Sequence, residues 1–508
     1  MQKSENNYDV AIIGGGINGC AIASALAQHG LSVYLCDKNQ IASGTSSRSS
    51  SLIHGGIRYL ENLDFGLVKK SIHARQELFT KIAPHLVKPI KFTIPHVANS
   101  TRPSCLIRLG LFIYDFLNIK NTLPKSKSVK RNTDQKLFLP LNNKIKNGVA
   151  YFDAQTDDAR LTLTKAKQAK LNGAIIEPFT NMLSAEKVDN YWRLNLSSKD
   201  SDNYKIKAKV IINAAGPWVN EVANILNNPI NHKICLVKGS HIMVPKQYIG
   251  EHAYLLQNKD GRIVFVIPFH NHTYIGTTDV PYFSSPDIVE ICDVEIDYLL
   301  NSFNNFFETK ITASSIISKT SGLRVLSSSI KKSAKDLSRN PILEYSKNNI
   351  LNVIGGKLTT HNSLAKEVLK ILKPTFPNLN YKKHVDFPLP GATLNTSFGI
   401  ISYNEYCKYA YKKYSWINRN MLSRYLNNYG TLTEDILKNC NMISDLGQCF
   451  KENIIYQVEI DYLIKEEGAS SLREILWLHS KLGLIVTNKE IDHLNKYINN
   501  YFLGSSLR

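Results

Sequence analysis

The feature that most constrains this chain is the spacing Gly14-x-Gly16-x-x-Gly19, set between an apolar strand and an alanine-rich helix. Tyr8 to Ile13 reads as a short buried strand and Asn18 to His29 as a helix ended by Gly30. Leu31 to Cys36 reads as a second strand, with Asp37 directly after it. The glycines have separate tasks. The first makes a tight turn, the second admits a pyrophosphate to the helix N-terminus, and the third lets helix and sheet pack closely. An acid closing the next strand can accept hydrogen bonds from a ribose. This β-α-β unit predicts an α/β fold that binds a dinucleotide, and by itself it does not choose FAD over NAD.

The segment TSSRSSSLIHGGIRYLE, residues 45–61, follows and mixes hydroxyls, imidazole, guanidinium and phenol. Neither a buried strand nor a solvated linker needs that mixture. The hydroxyls suit phosphate contacts, and Gly55-Gly56 would let backbone approach a flat ligand. His54 can act as a base near neutral pH, or its ring can only hydrogen-bond and position the loop. A second segment, LNVIGGKLTT at 351–360, reads as strand, two glycines and a helix beginning near Lys357. Backbone N–H groups and a lysine aimed at one spot would stabilise the negative charge of a reduced flavin, which favours FAD. Arg324 in SGLR and Arg339 in LSRN could grip a phosphate with bidentate forks, or serve as surface cations. His241 sits on an expected strand and reads as structural. No histidine or cysteine spacing suits a metal, and the eight scattered cysteines contain no CxxC pair, so a reduced compartment is expected.

At 508 residues the chain should hold two or three domains. Lys209 to Asn213 and Ile350 to Ile354 read as buried strands. The alternation from 234 to 279 predicts an antiparallel sheet. Asp157 or Asp158 reads as the N-cap of a helix from Leu161 to Leu171. Residues 66–82 read as helical, and residues 120–147 as an exposed lysine-rich excursion. Residues 102–119 read as a core helix or, alternatively, as one lying on a membrane surface. Prolines punctuate 374–392, and 402–503 carry helical spacing. The division expected is an oxidoreductase region 1–375 with its cofactor unit at about 8–37, a linker 376–400, and a helical domain 401–508. The formal charge of +20 allows nucleic acid, an anionic membrane or a phosphorylated substrate, but its lysines are dispersed, and no run reaches the length that spans a bilayer. Val10 to Ala27 lacks the basic lead of a secretory signal.

Taken in order, GGGINGC, TSSRSSSLIHGGIRYLE, FDAQTDDARL, NAAGPWV, VKGSHIMVP, RIVFVIPF, IGTTD, SGLR, GGKLTT and SDLG resemble the respiratory, bacterial type of FAD-dependent glycerol-3-phosphate dehydrogenase, over about residues 8 to 450. The resemblance implies a D-amino-acid-oxidase-like architecture: a Rossmann-like FAD domain, an antiparallel-sheet substrate domain and a C-terminal helical domain. It implies oxidation of sn-glycerol 3-phosphate to dihydroxyacetone phosphate, with electrons passing to a ubiquinone-type acceptor. By similarity Gly14, Gly15, Gly16, Ile17, Asn18, Gly19, Asp37, Thr45, Ser46, Ser47, His54, Gly55 and Gly56 would hold FAD, with Gly356, Lys357, Leu358 and Thr359 at its isoalloxazine end. Arg58, Tyr59, Arg324, Arg339 and Lys357 would surround the substrate, and His54, Arg58, Arg324 and Lys357 would carry catalysis. The chain would sit peripherally on an anionic membrane at the cytoplasmic face, as a possible homodimer and with no nucleic-acid partner. Three departures stand out: Ser51 where relatives carry lysine, Val325 where proline is expected, and His361-Asn362 in place of Tyr-Arg. Rivals are an oxidase passing electrons to O2, a flavin-containing RNA-modifying protein, and a non-catalytic FAD scaffold.

Overall fold

The computed structural model describes residues 6–97, 102–118, 122–199, 202–328, 340–378, 386–394 and 400–506. Among these, most strands fall into two large sheets. The first runs in the order Ile342–Tyr345, Ile350–Ile354, Tyr204–Asn213, Asn6–Ile13, Val33–Cys36 and Ile175–Glu177, with Tyr191–Ser198 and Thr180–Val188 added through Tyr204–Asn213. Its central pairs are parallel, and Ile13 lies opposite both Cys36 and Asn213. The carboxyl ends of these strands therefore share one edge, bringing Gly14, Asp37, Ala214 and Gly355 together. That edge is where ligands bind in open parallel sheets. The helix Ile17–Gln28 is buried on nearly every side, packed by the helices Asp158–Leu171 and His361–Leu372. Its run of small residues permits that close approach, and it forms the centre of the largest alanine-rich core cluster.

The second sheet is mainly antiparallel and confirms the alternation from 234 to 279. Lys233–Pro245 pairs with His272–Gly276, Val280–Tyr282 and the long strand Ser318–Ser328. Val325 lies inside that last pairing, opposite Leu236. A backbone N–H suits such a ladder and a proline would not supply one.

Two expectations need correction. Residues 120–147 are not simply an exposed excursion. Lys127–Lys130 pairs with Asn147–Gln155, and Val129, Leu137, Phe138, Leu141 and Ile145 enter a core cluster with Phe303 and Phe307. Their spacing among lysines and asparagines diluted the apolar signal without removing it. The stretch 102–119 is helical over Ser104–Phe116, but it is not a core helix. Only Ile107, Leu111 and Tyr114 are buried, while Leu106, Leu109, Phe112 and Phe116 lie outward, Phe112 at 69% exposure.

From Ile400 to Ile498 a separate aromatic and aliphatic cluster forms around short helices. It also holds a small hairpin, Cys449–Lys451 with Ile455–Tyr456, too short to show in the sequence. This helical region is tied to the first sheet's helices by the buried pair Arg160–Glu467 and by Arg160 donating to Asn428 O at 3.1 Å. Burial would raise the Glu467 carboxyl, but the guanidinium wins and holds it down at about 2.

Candidate active site

A cavity of about 1620 Å³ follows the shared strand edge and continues between the two sheets. Gly14, Gly16, Ile17, Asn18, Asp37, Thr45, Ser46, Ser47, His54, Gly56, Tyr59, Arg324, Gly356, Lys357, Leu358 and Thr359 all line it. Sequence positions spread over more than half the chain thus meet in one space. Gly15, Gly19 and Gly55 stand behind the wall. The side chain of Arg58 and the whole of Arg339 lie outside the described residues.

One end is built from backbone. Gly14 has φ +116°, and a Cβ there would stand 2.5 Å from the carbonyl oxygen of Ala214. A Cβ at Gly19 would stand 1.9 Å from the carbonyl oxygen of Gly14, so the helix can meet the turn only without a side chain. Gly16 caps the helix Ile17–Gln28 with no side-chain cap of its own. Ser46 fills that role from a distance, its Oγ accepting the Ile17 N–H at 2.9 Å. The three hydroxyls are therefore not equivalent. Thr45 donates to Leu323 O and Ser47 to Gly44 O. Ser46 accepts from the helix and keeps its proton, which a phosphate oxygen could take. Ser49 anchors the loop by donating its N–H and hydroxyl to Asp158, whose carboxyl burial pushes up to about 6. Asp157, not Asp158, is the N-cap, accepting from Arg160 N at 3.0 Å.

Asp37 accepts the N–H groups of Gly15 at 2.7 Å and Asn39 at 2.8 Å, one on each oxygen. Burial raises its carboxyl above the ordinary range. Each carboxylate oxygen retains a further lone pair for a ribose hydroxyl. Beyond it Phe179, Met182 and Trp218 line the cavity as a broad apolar mouth suited to a planar base.

The other end is built from side chains. The Lys357 ammonium lies 4.0 Å over the Tyr59 ring, and His54 stands 6.5 Å from the same ring. Lys357 caps a short 3-10 turn, Leu358–Thr360, before the helix His361–Leu372 begins. The N–H groups facing this end thus belong to the turn, a small shift from the expected helix start. Arg324 donates to Thr278 O at 3.0 Å and Thr277 Oγ1 at 3.3 Å, and Asp279 lies 3.8 Å away. Gly239 is small because a Cβ would stand 2.7 Å from the Arg324 guanidinium.

The glycine pair after His54 has another reason than the one read from sequence. A Cβ at Gly55 would collide with the Tyr114 hydroxyl at 2.2 Å, and one at Gly56 with the Tyr59 ring at 2.2 Å. These glycines make room for the protein's own aromatics. His241, expected to be structural, is packed into the cavity wall. It lines the cavity, stacks on Tyr274 at 4.7 Å, and approaches Ser50 Oγ at 2.9 Å through Nε2. Burial, aided by Arg324, lowers its pKa to about 3, so the ring is neutral at physiological pH. Sequence reasoning also missed Asp153, Lys481 and Trp477 in the cavity wall. The last two come from the helical region, which no local motif connects to the glycine turn.

The site fits a long ligand with an anionic middle and a planar redox end. Backbone N–H groups and the Ser46 hydroxyl at the strand edge are the kind of donors a phosphate requires. Asn18 Oδ1 is buried without a partner beside Gly356, and the Lys357 ammonium stands at the side-chain end of the cavity. Residues 9–368 match the family of FAD dependent oxidoreductases. The chain is 39% identical over 500 residues to a glycerol-3-phosphate dehydrogenase of Pseudomonas aeruginosa, covering 97% of this chain and 95% of that one. It is 34% identical over 500 residues to the aerobic glycerol-3-phosphate dehydrogenase of Escherichia coli (strain K12), covering 97% of each. In fold it is similar to a glycerol-3-phosphate dehydrogenase from Bacillus halodurans complexed with FAD, at TM-score 0.77 and 22% identity, covering 99% of this chain and 91% of that chain.

Proposed function

The chain belongs to the FAD-dependent glycerol-3-phosphate dehydrogenases, and we infer from that membership and from its cavity that it oxidises sn-glycerol 3-phosphate to dihydroxyacetone phosphate. The observation that carries this reading is a single cavity with a backbone phosphate cradle at one end and Lys357, Tyr59, His54 and Arg324 at the other. FAD, when bound, supplies the two-electron acceptor for the hydride leaving C2. The chain's own groups do the rest. We assign the phosphate dianion to the Arg324 fork, with Arg339 joining it and Arg58 opposing charge that develops on the reacting oxygen, both by family resemblance. His54 takes the C2 hydroxyl proton, and Lys357 opposes charge developing on that oxygen. Tyr59 holds the Lys357 ammonium over its ring.

The electron acceptor is proposed to be a membrane quinone of the ubiquinone type. No helix among the described residues is long and apolar enough to cross a membrane. The outward row Leu106, Leu109, Phe112 and Phe116, with the exposed Arg108 on the same helix, supports peripheral docking on an anionic bilayer at its cytoplasmic face. We further propose the division at 1–375, 376–400 and 401–508, and a homodimer as the assembly. One assay tests the acceptor: purified holoenzyme is given substrate with a soluble quinone analogue or with O2 alone. Quinone reduction without stoichiometric peroxide is expected. Stoichiometric peroxide with the analogue ignored would make the protein an oxidase instead. Flotation with anionic vesicles at low salt tests docking, and a protein that stays in the aqueous layer contradicts it.

A further inference from the structure

The turn His54-Gly55-Gly56 is held from behind by a buried polar set whose centre, Asp153, lies in the FDAQTDDARL segment but has no role assigned from sequence. The two-residue strand Leu52–Ile53 pairs with Asn147–Gln155, Ile53 lying opposite Ala154. One residue further the chain leaves the ladder, and the Gly55 N–H loses its place in it. Asp153 takes that N–H on its side-chain Oδ1 at 3.0 Å. The same oxygen accepts the Tyr114 hydroxyl at 2.7 Å and the Arg75 guanidinium at 2.5 Å. Arg75 also donates to the Tyr114 hydroxyl at 2.8 Å. All three residues are at most 1% exposed, and Asp153 lines the cavity.

A buried carboxylate paired with arginine is weak evidence of stabilisation, because desolvating both charges costs about as much as their attraction returns. Its geometry can still specify where a neighbouring group sits. Here the neighbour is the peptide N–H directly after His54. Gly55 has no room for a Cβ because the Tyr114 hydroxyl and Ile72 Cγ1 stand there, at 2.2 and 2.7 Å. The Gly55 peptide is thus held by its bond to Asp153 and backed closely by Tyr114 and Ile72, which leave no space for a side chain.

We propose that Asp153 is a positioning residue for the His54 turn, with Tyr114 and Arg75 orienting its carboxylate. This inference rests on the reading that the turn faces the reacting atoms. Displacing a reacting group by about 1 Å can lower a rate on the order of a hundredfold. Losing one of the bonds that aim the carboxylate should displace the turn less.

The test compares two variants on the same helix in flavin-loaded full-length protein. Tyr114→Phe removes only the hydroxyl. Leu111→Ala removes buried packing without touching the polar set. Anaerobic flavin reduction at saturating glycerol 3-phosphate should slow about tenfold in Tyr114→Phe, with KM within about twofold of wild type. Leu111→Ala should lower Tm at least as much and reduce at the wild-type rate. A second readout needs no substrate: the visible circular dichroism of the oxidised bound flavin should change in Tyr114→Phe and not in Leu111→Ala. Wild-type dichroism and a wild-type reduction rate in Tyr114→Phe would overturn the proposal, as would equal slowing in both variants. Absence of reduction in wild type itself would contradict the reaction, while the dichroism comparison would still decide the positioning role.

Discussion

The two ends of the cavity, both proposed to hold charged groups, are built from different materials. At the end proposed to hold phosphate the donors are peptide N–H groups and the Ser46 hydroxyl, and glycines clear space against backbone: Gly19 against the Gly14 carbonyl, Gly14 against that of Ala214. At the far end the working groups are side chains, and glycines clear space for other side chains: Gly55 for Tyr114, Gly56 for Tyr59, Gly239 for Arg324. Backbone cannot move aside and side chains can. The first end should therefore fail by unfolding or losing cofactor, and the second by losing rate or substrate affinity.

The largest expected effect breaks or upholds that contrast directly. Gly19→Ala places a methyl 1.9 Å from a carbonyl oxygen and should yield no folded, flavin-loaded protein, a penalty of more than about 3 kcal/mol. Gly56→Ala meets only the Tyr59 ring, though at φ +77°. It should purify with FAD and turn over slowly. Recovering both variants with full flavin, measured by the ratio of visible to protein absorbance, would erase the distinction.

Next in size is an acid effect at two buried imidazoles, one in the cavity wall and one at the start of the helix that follows Lys357. His241 and His361 are buried and neutral, with pKa values lowered to about 3 and about 4, burial being the main cause in each. Between the ordinary histidine value and these lowered ones, the unfolded chain binds more protons than the folded one. Stability is then full above about pH 6.5 and declines as pH falls, by about 2 kcal/mol per imidazole between pH 7 and 5. Urea midpoints at the two pH values measure it. A midpoint unchanged from pH 7 to 5 would mean these rings are not held neutral.

Much of this contrast decides what could be read from sequence. Gly14, Gly16, Gly19 and Asp37 were legible because a backbone cradle needs particular residues at fixed short spacing. Lys357 was legible for the same reason, lying directly after a strand and two glycines. Asp153 was not, because its partners Arg75 and Tyr114 lie 78 and 39 residues away and only the sheet register brings them together. The outward face of Ser104–Phe116 was visible as an apolar helix, but which side is buried depends on the sheet beneath it. Lys481 and Trp477 reach the cavity from the helical region through tertiary packing alone.

Smaller effects sharpen the assignment of individual groups. Arg324→Ala should raise KM for glycerol 3-phosphate about a hundredfold, the loss of roughly two charge-assisted hydrogen bonds, while flavin content stays full. Steady-state kinetics on flavin-loaded protein check it, and an unchanged KM would remove Arg324 from the phosphate site. Ser46→Ala should weaken FAD binding about fivefold, one ordinary hydrogen bond. Ser47→Ala, whose proton is already given to Gly44 O, should hardly change it. Fluorescence titration of the apoprotein with FAD distinguishes them, and equal losses would contradict the unequal roles of the hydroxyls.

The central claim is that both ends serve one reaction. Anaerobic titration of the purified flavoprotein with glycerol 3-phosphate, followed in the visible flavin band, tests it most directly. Bleaching by the substrate is expected, with dihydroxyacetone phosphate formed in equal amount to the flavin reduced. A flavin band that dithionite bleaches but glycerol 3-phosphate leaves unchanged would contradict it.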